Sequence, residues 1–293
     1  MSRVWKFLLS FLLFVTVCYV GLVWFVDREV TQEIDRTVAD TPGMELAYDD
    51  VSVSLSDHTV TLDKVEMALP DGQHFVADTV AISRFDQLNT IPHFVTAKAT
   101  GVVMETTFAN FGSWAAPLTA MGIETVTGDV DLNYDYDTEN KELTLDSLAI
   151  TSADLGDIAI SGTIKNLDLA ELRVEKLLGL GVSMADLQFT NRSLMDSMLD
   201  SAARNMGVSK DTARAQIGAE LTVMADYAGK DGNTVAEDAL RGIKRFVDEP
   251  GTLKLSVRPA EPVPLLYFFM GRDFYDNLRL LNVKVITNSS DEI

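Results

Sequence analysis

From Leu46 onward the chain alternates apolar and polar residues with a period of two. Val51, Val53 and Leu55 interleave with Ser52, Ser54 and Ser56, the spacing of a strand with one dry and one wet face. After a polar break at Asp57-His58, Val60 and Leu62 resume the pattern, and Val65, Met67 and Leu69 carry it on in the opposite phase. That slip at Asp63-Lys64 predicts a bulge or a short turn. Pro70-Asp71-Gly72 predicts a turn, and strands follow over residues 75–85 and 95–107, with a loop around 89–92 between them. The clearest alternation runs from Asp129 to Asp137, where every odd position is polar and every even one apolar. Leu143, Leu145, Leu148 and Ile150 return the chain, and Ile158, Ile160 and Ile164 add another strand. One-sided strands joined by short turns predict an antiparallel sheet.

Elsewhere the period changes. Residues 108–122, with Trp114 and Pro117, predict a short helix or a packed loop. Residues 169–178 predict a helix and 184–190 a strand. Leu194, Met198 and Ala202 recur at helical spacing, Ser209 stands as an N-cap for a helix running to about 228, and 235–247 gives a third helix before Pro250-Gly251. Leu253, Leu255 and Val257 predict a strand, Pro259 to Pro264 breaks it, and Leu281, Val283 and Val285 predict the last one. The fold class expected is α+β and β-rich, an antiparallel sheet with packed helices. Its body spans 44–293, with a helical insertion at about 193–248.

The N-terminal pattern is different again. Phe7 to Val26 contains no charged residue, and twenty residues at about 1.5 Å each give roughly 30 Å of helix, enough to cross a bilayer's hydrocarbon core. The run is longer than a secretory signal's apolar region and ends in Val23-Trp24-Phe25-Val26 without small residues, so residues 1–26 read as an uncleaved anchor. Arg3 and Lys6 precede it, which places the N-terminus in the cytoplasm and the body across the membrane. Val30, Ile34 and Val38 then keep helical spacing over 27–43, read as a helical stalk. All 44 acidic residues follow the span, against 22 of the 24 basic ones, leaving residues 27–293 at −22. That charge argues against nucleic acid as a partner. Cys18 is the sole cysteine and lies within the span, so the body has no disulfide or thiolate chemistry.

In residues 48–105 a Val/Leu strand and a polar break lead into T-L-D-K-V-E-M, P-D-G and F-V-A-D-T-V-A-I-S; residues 143–169 carry L-T-L-D-S-L-A-I and L-G-D-I-A-I-S-G-T-I-K-N-L-D-L. These segments resemble the AsmA-like superfamily and the YdgA-type proteins, membrane-anchored proteins of the bacterial periplasm. The resemblance covers about half of the body and rests on patterned hydrophobics and turns. It implies a curved, taco-like sheet with an apolar concave face, a single-pass protein of the inner membrane with its body in the periplasm, and a role in lipid handling or envelope biogenesis. The helical region 193–248 departs from that pattern. Apolar strand faces in such surplus must be covered by helices or by acyl chains. The candidate lipid-binding residues are Val130, Leu132, Tyr134, Tyr136, Leu143, Leu145, Ile158 and Ile160, with Phe268 and Phe269, in the apolar run 265–270, as a plug or lip. The partners expected are membrane lipid and other envelope proteins. The alternative is a scaffold with a closed core that docks another envelope protein.

Nothing points to catalysis, a cofactor or a metal. The ladder Asp129, Asp131, Asn133, Asp135, Asp137, Glu139 is spaced like a calcium loop, but Tyr134 and Asn140 stand where an EF-hand needs Gly and Glu. It reads as the wet face of a strand. His58, His74 and His93 fall in or beside turns without ligand spacing. Neither a nucleophile elbow nor a phosphate-binding glycine motif is present.

Overall fold

The computed structural model describes residues 42–288 apart from 55, 87, 90, 170–177 and 270–272, together with 30–32, 34–36 and 38. The predicted anchor and most of the predicted helix at 169–178 lie outside the described residues. Among the described residues no helix is long and apolar enough to cross a membrane.

The alternating segments form one open antiparallel sheet of twelve strands. They are β1 Glu45–Ala47, β2 Asp50–Ser54, β3 Thr59–Ala68, β4 His74–Phe85, β5 Phe94–Glu105, β6 Thr125–Asp137, β7 Glu142–Ser152, β8 Gly156–Lys165, β9 Gly181–Asn191, β10 Thr252–Val257, β11 Val263–Pro264 and β12 Val283–Thr287. The order is β1-β3-β4-β5-β6-β7-β8-β9-β10-β12, with β2 also on β3 and β11 also on β9. From β3 to β9 each strand pairs with the next in sequence, as short turns require. The β5–β6 connection holds α1 Phe108–Phe111, one 3-10 turn Gly112–Trp114 and α2 Ala115–Ala120. The insertion between β9 and β10 is three helices, α3 Leu194–Met206, α4 Lys210–Lys230 and α5 Thr234–Asp248. Ser209 caps α4 as expected, its Oγ accepting from the Thr212 N–H at 3.2 Å.

The phase slip at Asp63-Lys64 is carried by one residue. Lys64 has φ +53°, yet β3 stays in register with β4 across it, Asp63 opposite Thr79 and Val65 opposite Ala77. The left-handed step turns the alternation over, so both Leu62 and Val65 reach the core. It also brings the Lys64 ammonium onto Asp78. Other ladders are interrupted by register shifts, at Ile82/Arg84, Ala99/Val102, Asn133/Tyr134, Leu145/Leu148 and Thr163/Ile164. Such bulges bend a strand and increase its twist.

One expectation needs correction. Leu281 does not begin the last strand; it is the C-cap of a helix, α7 Phe274–Leu280, which the period-two reading of Leu281, Val283 and Val285 passed over. Asp273 fixes that helix by accepting from the Asp276 N–H at 2.7 Å, and Asn282 makes the left-handed turn into β12 with φ +49°.

Buried packing is concentrated at the two ends of the sheet. At one end Val51, Leu62, Val65, Ala77 and Val102 form a cluster against which Val30 and Ile34 of the N-terminal helical segment pack. Tyr48 Oη donates to Asp35 Oδ1 of that segment at 3.0 Å, and the loss of water around Tyr48, with Asp35 beside it, raises the phenol's pKa. At the other end α5 lies on β10 and β12, with Ala239 against Val257, Val283 and Val285, and α3 adds Met195 and Leu199 against Phe246 and Val247. Leu240 of α5 is 1% exposed. Leu240→Ala is expected to cost about 2–5 kcal/mol, the range for a buried leucine left as a cavity, read as a lowered urea midpoint.

Candidate functional site: an apolar trough across the sheet

Residues directly opposite one another in adjacent strands share a face of the sheet. One row therefore crosses ten strands: Val53, Val60, Ile82, Ala97, Leu132, Leu148, Ile160, Leu187, Leu255 and Val285. The neighbouring row runs from Val51 and Leu62 through Val80, Ala99, Val130, Ile150, Ile158 and Phe189 to Leu253. Every member of these two rows is apolar. Tyr134 opposite Leu145 and Tyr136 opposite Leu143 extend the same face toward one end of the strands.

The cover over this face is uneven. Val51 and Leu62 at one end and Val285 at the other are buried. Between them Ala97, Val130, Leu132, Leu148, Ile150, Ile158 and Ile160 are all half-buried. None of the residues that form the three buried apolar clusters belongs to β6, β7 or β8, although Val130 of β6 packs against the first of them. The described residues thus place a half-buried apolar stretch of sheet, a candidate trough, between the N-terminal helical segment on one side and α3 and α5 on the other.

Eight of the ten sequence-predicted site residues come together on this floor: Val130, Leu132, Tyr134 and Tyr136 on β6, Leu143 and Leu145 on β7, Ile158 and Ile160 on β8. The other two are Phe268 and Phe269. They lie on the short helix α6 Leu266–Phe269, where Phe268 is half-buried and the Phe269 side chain is outside the description. That helix follows β11, whose Val263 stands opposite Val182; Val182 is opposite Ile164, and Ile164 opposite Leu143. The segment therefore sits at the Leu143–Ile164 end of the strands. Leu148, Ile150 and Leu187 also belong to the floor. Alternation alone marks them as dry-face residues, but the three-residue step from Leu145 to Leu148, opposite two residues of β8, hides their register.

One end of the trough is shaped by the loop expected around 89–92, organised by an acidic residue that sequence did not single out. Asp86 is 4% exposed and accepts from the His93 N–H at 2.9 Å, from Asn89 Nδ2 at 2.7 Å and from the Leu88 N–H at 2.9 Å. The Tyr134 hydroxyl donates to the Pro92 carbonyl at 3.0 Å and that of Tyr136 to the Leu167 carbonyl at 2.7 Å. Both rings can then serve as apolar floor because their polar tips are satisfied elsewhere. The donors to Asp86, the His93 amide foremost, lower its pKa to about 2. This lies below the unfolded carboxylate value of about 3.9. Its contribution is therefore complete above that value and is lost as the pH falls through about 2. The Leu88 and His93 amides are expected to stay protected from hydrogen exchange down to about pH 4 and to open as about pH 2 is approached. In Asp86→Asn they should exchange faster at every pH.

The opposite face is polar and paired. Asp135 accepts both guanidinium nitrogens of Arg84 at 2.6 and 2.7 Å, which lowers its carboxyl pKa. Asp131 faces Lys98 at 3.7 Å, Asn133 accepts from Thr96 at 2.9 Å, and Asp129 accepts from the Gly101 N–H at 2.9 Å. Asp137 caps the following turn through Glu139 and Asn140. The acidic ladder is thus committed to its neighbours. Among the described residues no three His, Cys, Asp or Glu side chains are grouped as metal ligands.

Residues 149–288, from β7 to the end of β12, match a family model described as "Uncharacterized protein". No curated protein matches the chain.

Proposed function

We propose that this chain is a non-catalytic, membrane-anchored protein of the bacterial periplasm that holds lipid acyl chains in the trough. The observation that carries the reading is the half-buried apolar floor across β6–β8, continuous with apolar rows that end in buried residues on both sides. Four strand spacings of about 4.8 Å give roughly 19 Å of floor between β5 and β9, comparable to one leaflet of a bilayer's hydrocarbon core, about 15 Å. Each methylene taken from water into such a face contributes about 0.8 kcal/mol. Bulges such as these bend strands and increase their twist, and the anchor expected at 7–26 together with the AsmA-like segments supports a site beside a membrane. Across all ten strands the floor is about 43 Å long, too short to bridge an envelope alone, which fits a local lipid holder working with partners.

The test uses a chain starting at Val30, which keeps the packed N-terminal helical segment and drops the predicted span. Native mass spectrometry is expected to find phospholipid bound to it. Recovery of no more lipid than with an unrelated acidic domain would end this reading. One observation favours the scaffold alternative: Val223, Tyr227 and Phe274 are 69%, 59% and 50% exposed on the helical side, and the rings of Tyr227 and Tyr275 lie 5.3 Å apart, an apolar patch of the kind that docks a protein.

A further inference from the structure

The β5–β6 connection differs from the rest of the body. From Thr106 to Ile123 it has no charged residue, although residues 27–293 together carry −22. It exposes two of the chain's largest apolar side chains, Phe108 at 77% and Trp114 at 68%. This exposure is built into a fixed structure. Thr107 caps α1 by accepting from the Asn110 N–H at 3.3 Å. Asn110 ties the connection to the sheet, donating to the Glu105 carbonyl at 2.8 Å and accepting from the His74 N–H at 2.8 Å. Thr106 Oγ1 donates to the Ile123 and Glu124 carbonyls, both at 2.8 Å, and Arg204 of α3 donates to the Ala120 carbonyl at 2.8 Å. Held from both sides, Phe108 and Trp114 stay in water because nothing in the described chain covers them.

Position says what would cover them. A side chain at Gly43 would touch Pro70, and one at Gly72, in the same turn, would touch Ala109 of α1. The chain thus leaves its N-terminal segment and enters the sheet at the end that carries this connection. The expected anchor ends at residue 26, seventeen residues before Gly43. Of these, the helical ones between 30 and 38 span only about 12 Å. Trp and Phe on an uncharged backbone suit the headgroup boundary, where an amphipathic ring meets both water and hydrocarbon. An acidic surface would be repelled there by anionic lipid; this stretch is not.

We infer that the helical connection 106–123 is a second membrane contact, which lies in the bilayer interface with Trp114 and Phe108 inserted. The inference rests on the anchored, lipid-holding reading above and adds to it a fixed orientation, with this end of the trough against the lipid. A cleft of about 290 Å³ opens beside the connection, and its lining mixes Ile123 and Leu155 with the polar Thr125 and Ser152 and the carboxylates of Glu124 and Asp154.

The chain supplies its own probe. Its three tryptophans are Trp5, Trp24 and Trp114, so Trp5→Phe with Trp24→Phe leaves Trp114 as the sole indole. The full chain is placed in phospholipid nanodiscs, with and without lipids brominated near the headgroup end of the acyl chain. Trp114 is expected to emit to the blue of a water-exposed indole, to resist aqueous iodide and to lose most of its intensity to the brominated lipid. Adding Phe108→Glu should return it toward aqueous emission with an unchanged circular dichroism spectrum. An indole open to iodide and indifferent to brominated lipid would overturn the inference, as would a Phe108→Glu variant still fully quenched. The chain starting at Val30, loaded with brominated lipid but given no bilayer, must remain unquenched; quenching there would assign the effect to the trough and overturn the inference too. Lipid recovered with that shorter chain while Trp114 stays aqueous would remove this inference alone. A quenched Trp114 without recovered lipid would remove the trough reading alone.

Discussion

Ile160→Asp is expected to fold with a loss of about 1–2 kcal/mol and to purify with little lipid. Ile160 stands in the middle of the floor, between Leu148 and Leu187, and is half-buried. A carboxylate there keeps contact with water in the empty protein, so most of its solvation survives. When an acyl chain lies across the floor, the same carboxylate must be dried or left unpaired against hydrocarbon, which is costly. The substitution therefore acts on occupancy far more than on folding. The contrast is Leu240→Asp: at 1% exposure an unpaired charge there should cost more than about 4 kcal/mol and unfold the body. Urea midpoints and native mass spectrometry on the two variants separate the cases. If Ile160→Asp unfolds as readily as Leu240→Asp, the floor is ordinary core. If it folds and still carries its lipid, the lipid lies elsewhere.

What could be read from the sequence follows the range of the interactions. Asp129 to Asp137 announces its two faces because alternation is a local property, and β6 forms as expected. The caps at Ser209 and the turn at Pro70-Asp71-Gly72 are local for the same reason. Register is not. The shifts at Asn133/Tyr134 and Leu145/Leu148 depend on which residue the neighbouring strand presents, and a single strand contains no record of that. Alternation could therefore nominate Leu132 and Ile160 but could not place them in one row with Leu148 between them. Asp86 escaped for a related reason: in sequence it is one more acidic residue near a proline, and its role depends on amides contributed by Leu88 and His93 after the loop has closed.

The slip at Lys64 and the strand misread at Leu281 show the two outcomes of a change of phase. At Lys64 the ladder is held by flanking pairs that stay in register, so a left-handed residue absorbs the change and the strand continues. At Leu281 the Asp273 cap has already started a helix, and hydrophobic residues that fit a strand's spacing are divided between a helix end and β12. Apolar spacing was the same kind of signal in both places; the flanking ladder decided the result at Lys64 and the Asp273 cap decided it at Leu281.

Gly242→Val is expected to destabilise the body by about 2 kcal/mol and to widen the trough. Gly242 lies where α5 meets β12. A Cβ placed on it would stand 2.8 Å from both Cβ and Cγ1 of Val285 and 3.1 Å from its carbonyl oxygen. The carbonyl belongs to the sheet and Val285 is itself 7% exposed, so neither can turn away and the helix has to lift. Two effects of opposite sign compete. Glycine in a helix costs about 1 kcal/mol relative to alanine, whereas forcing carbon into packed space costs about 1–3 kcal/mol. Alanine recovers the whole helix term and meets the clash only through its Cβ, so Gly242→Ala should fall near neutrality. Valine recovers less, because a β-branched residue is a poorer helix former, and adds two methyl groups against Val285; there the clash dominates. Lifting α5 would also uncover Leu253, Leu255 and Val257, which pack against it now, so Gly242→Val should bind more of an apolar fluorescent dye than the parent at equal concentration. Urea midpoints in the order parent, Gly242→Ala, Gly242→Val, with dye binding rising in the same order, are the expected result. A Gly242→Ala variant more stable by the full helix term of about 1 kcal/mol would mean that α5 rides on β12 with room to spare, and that the wall on this side of the trough yields without strain.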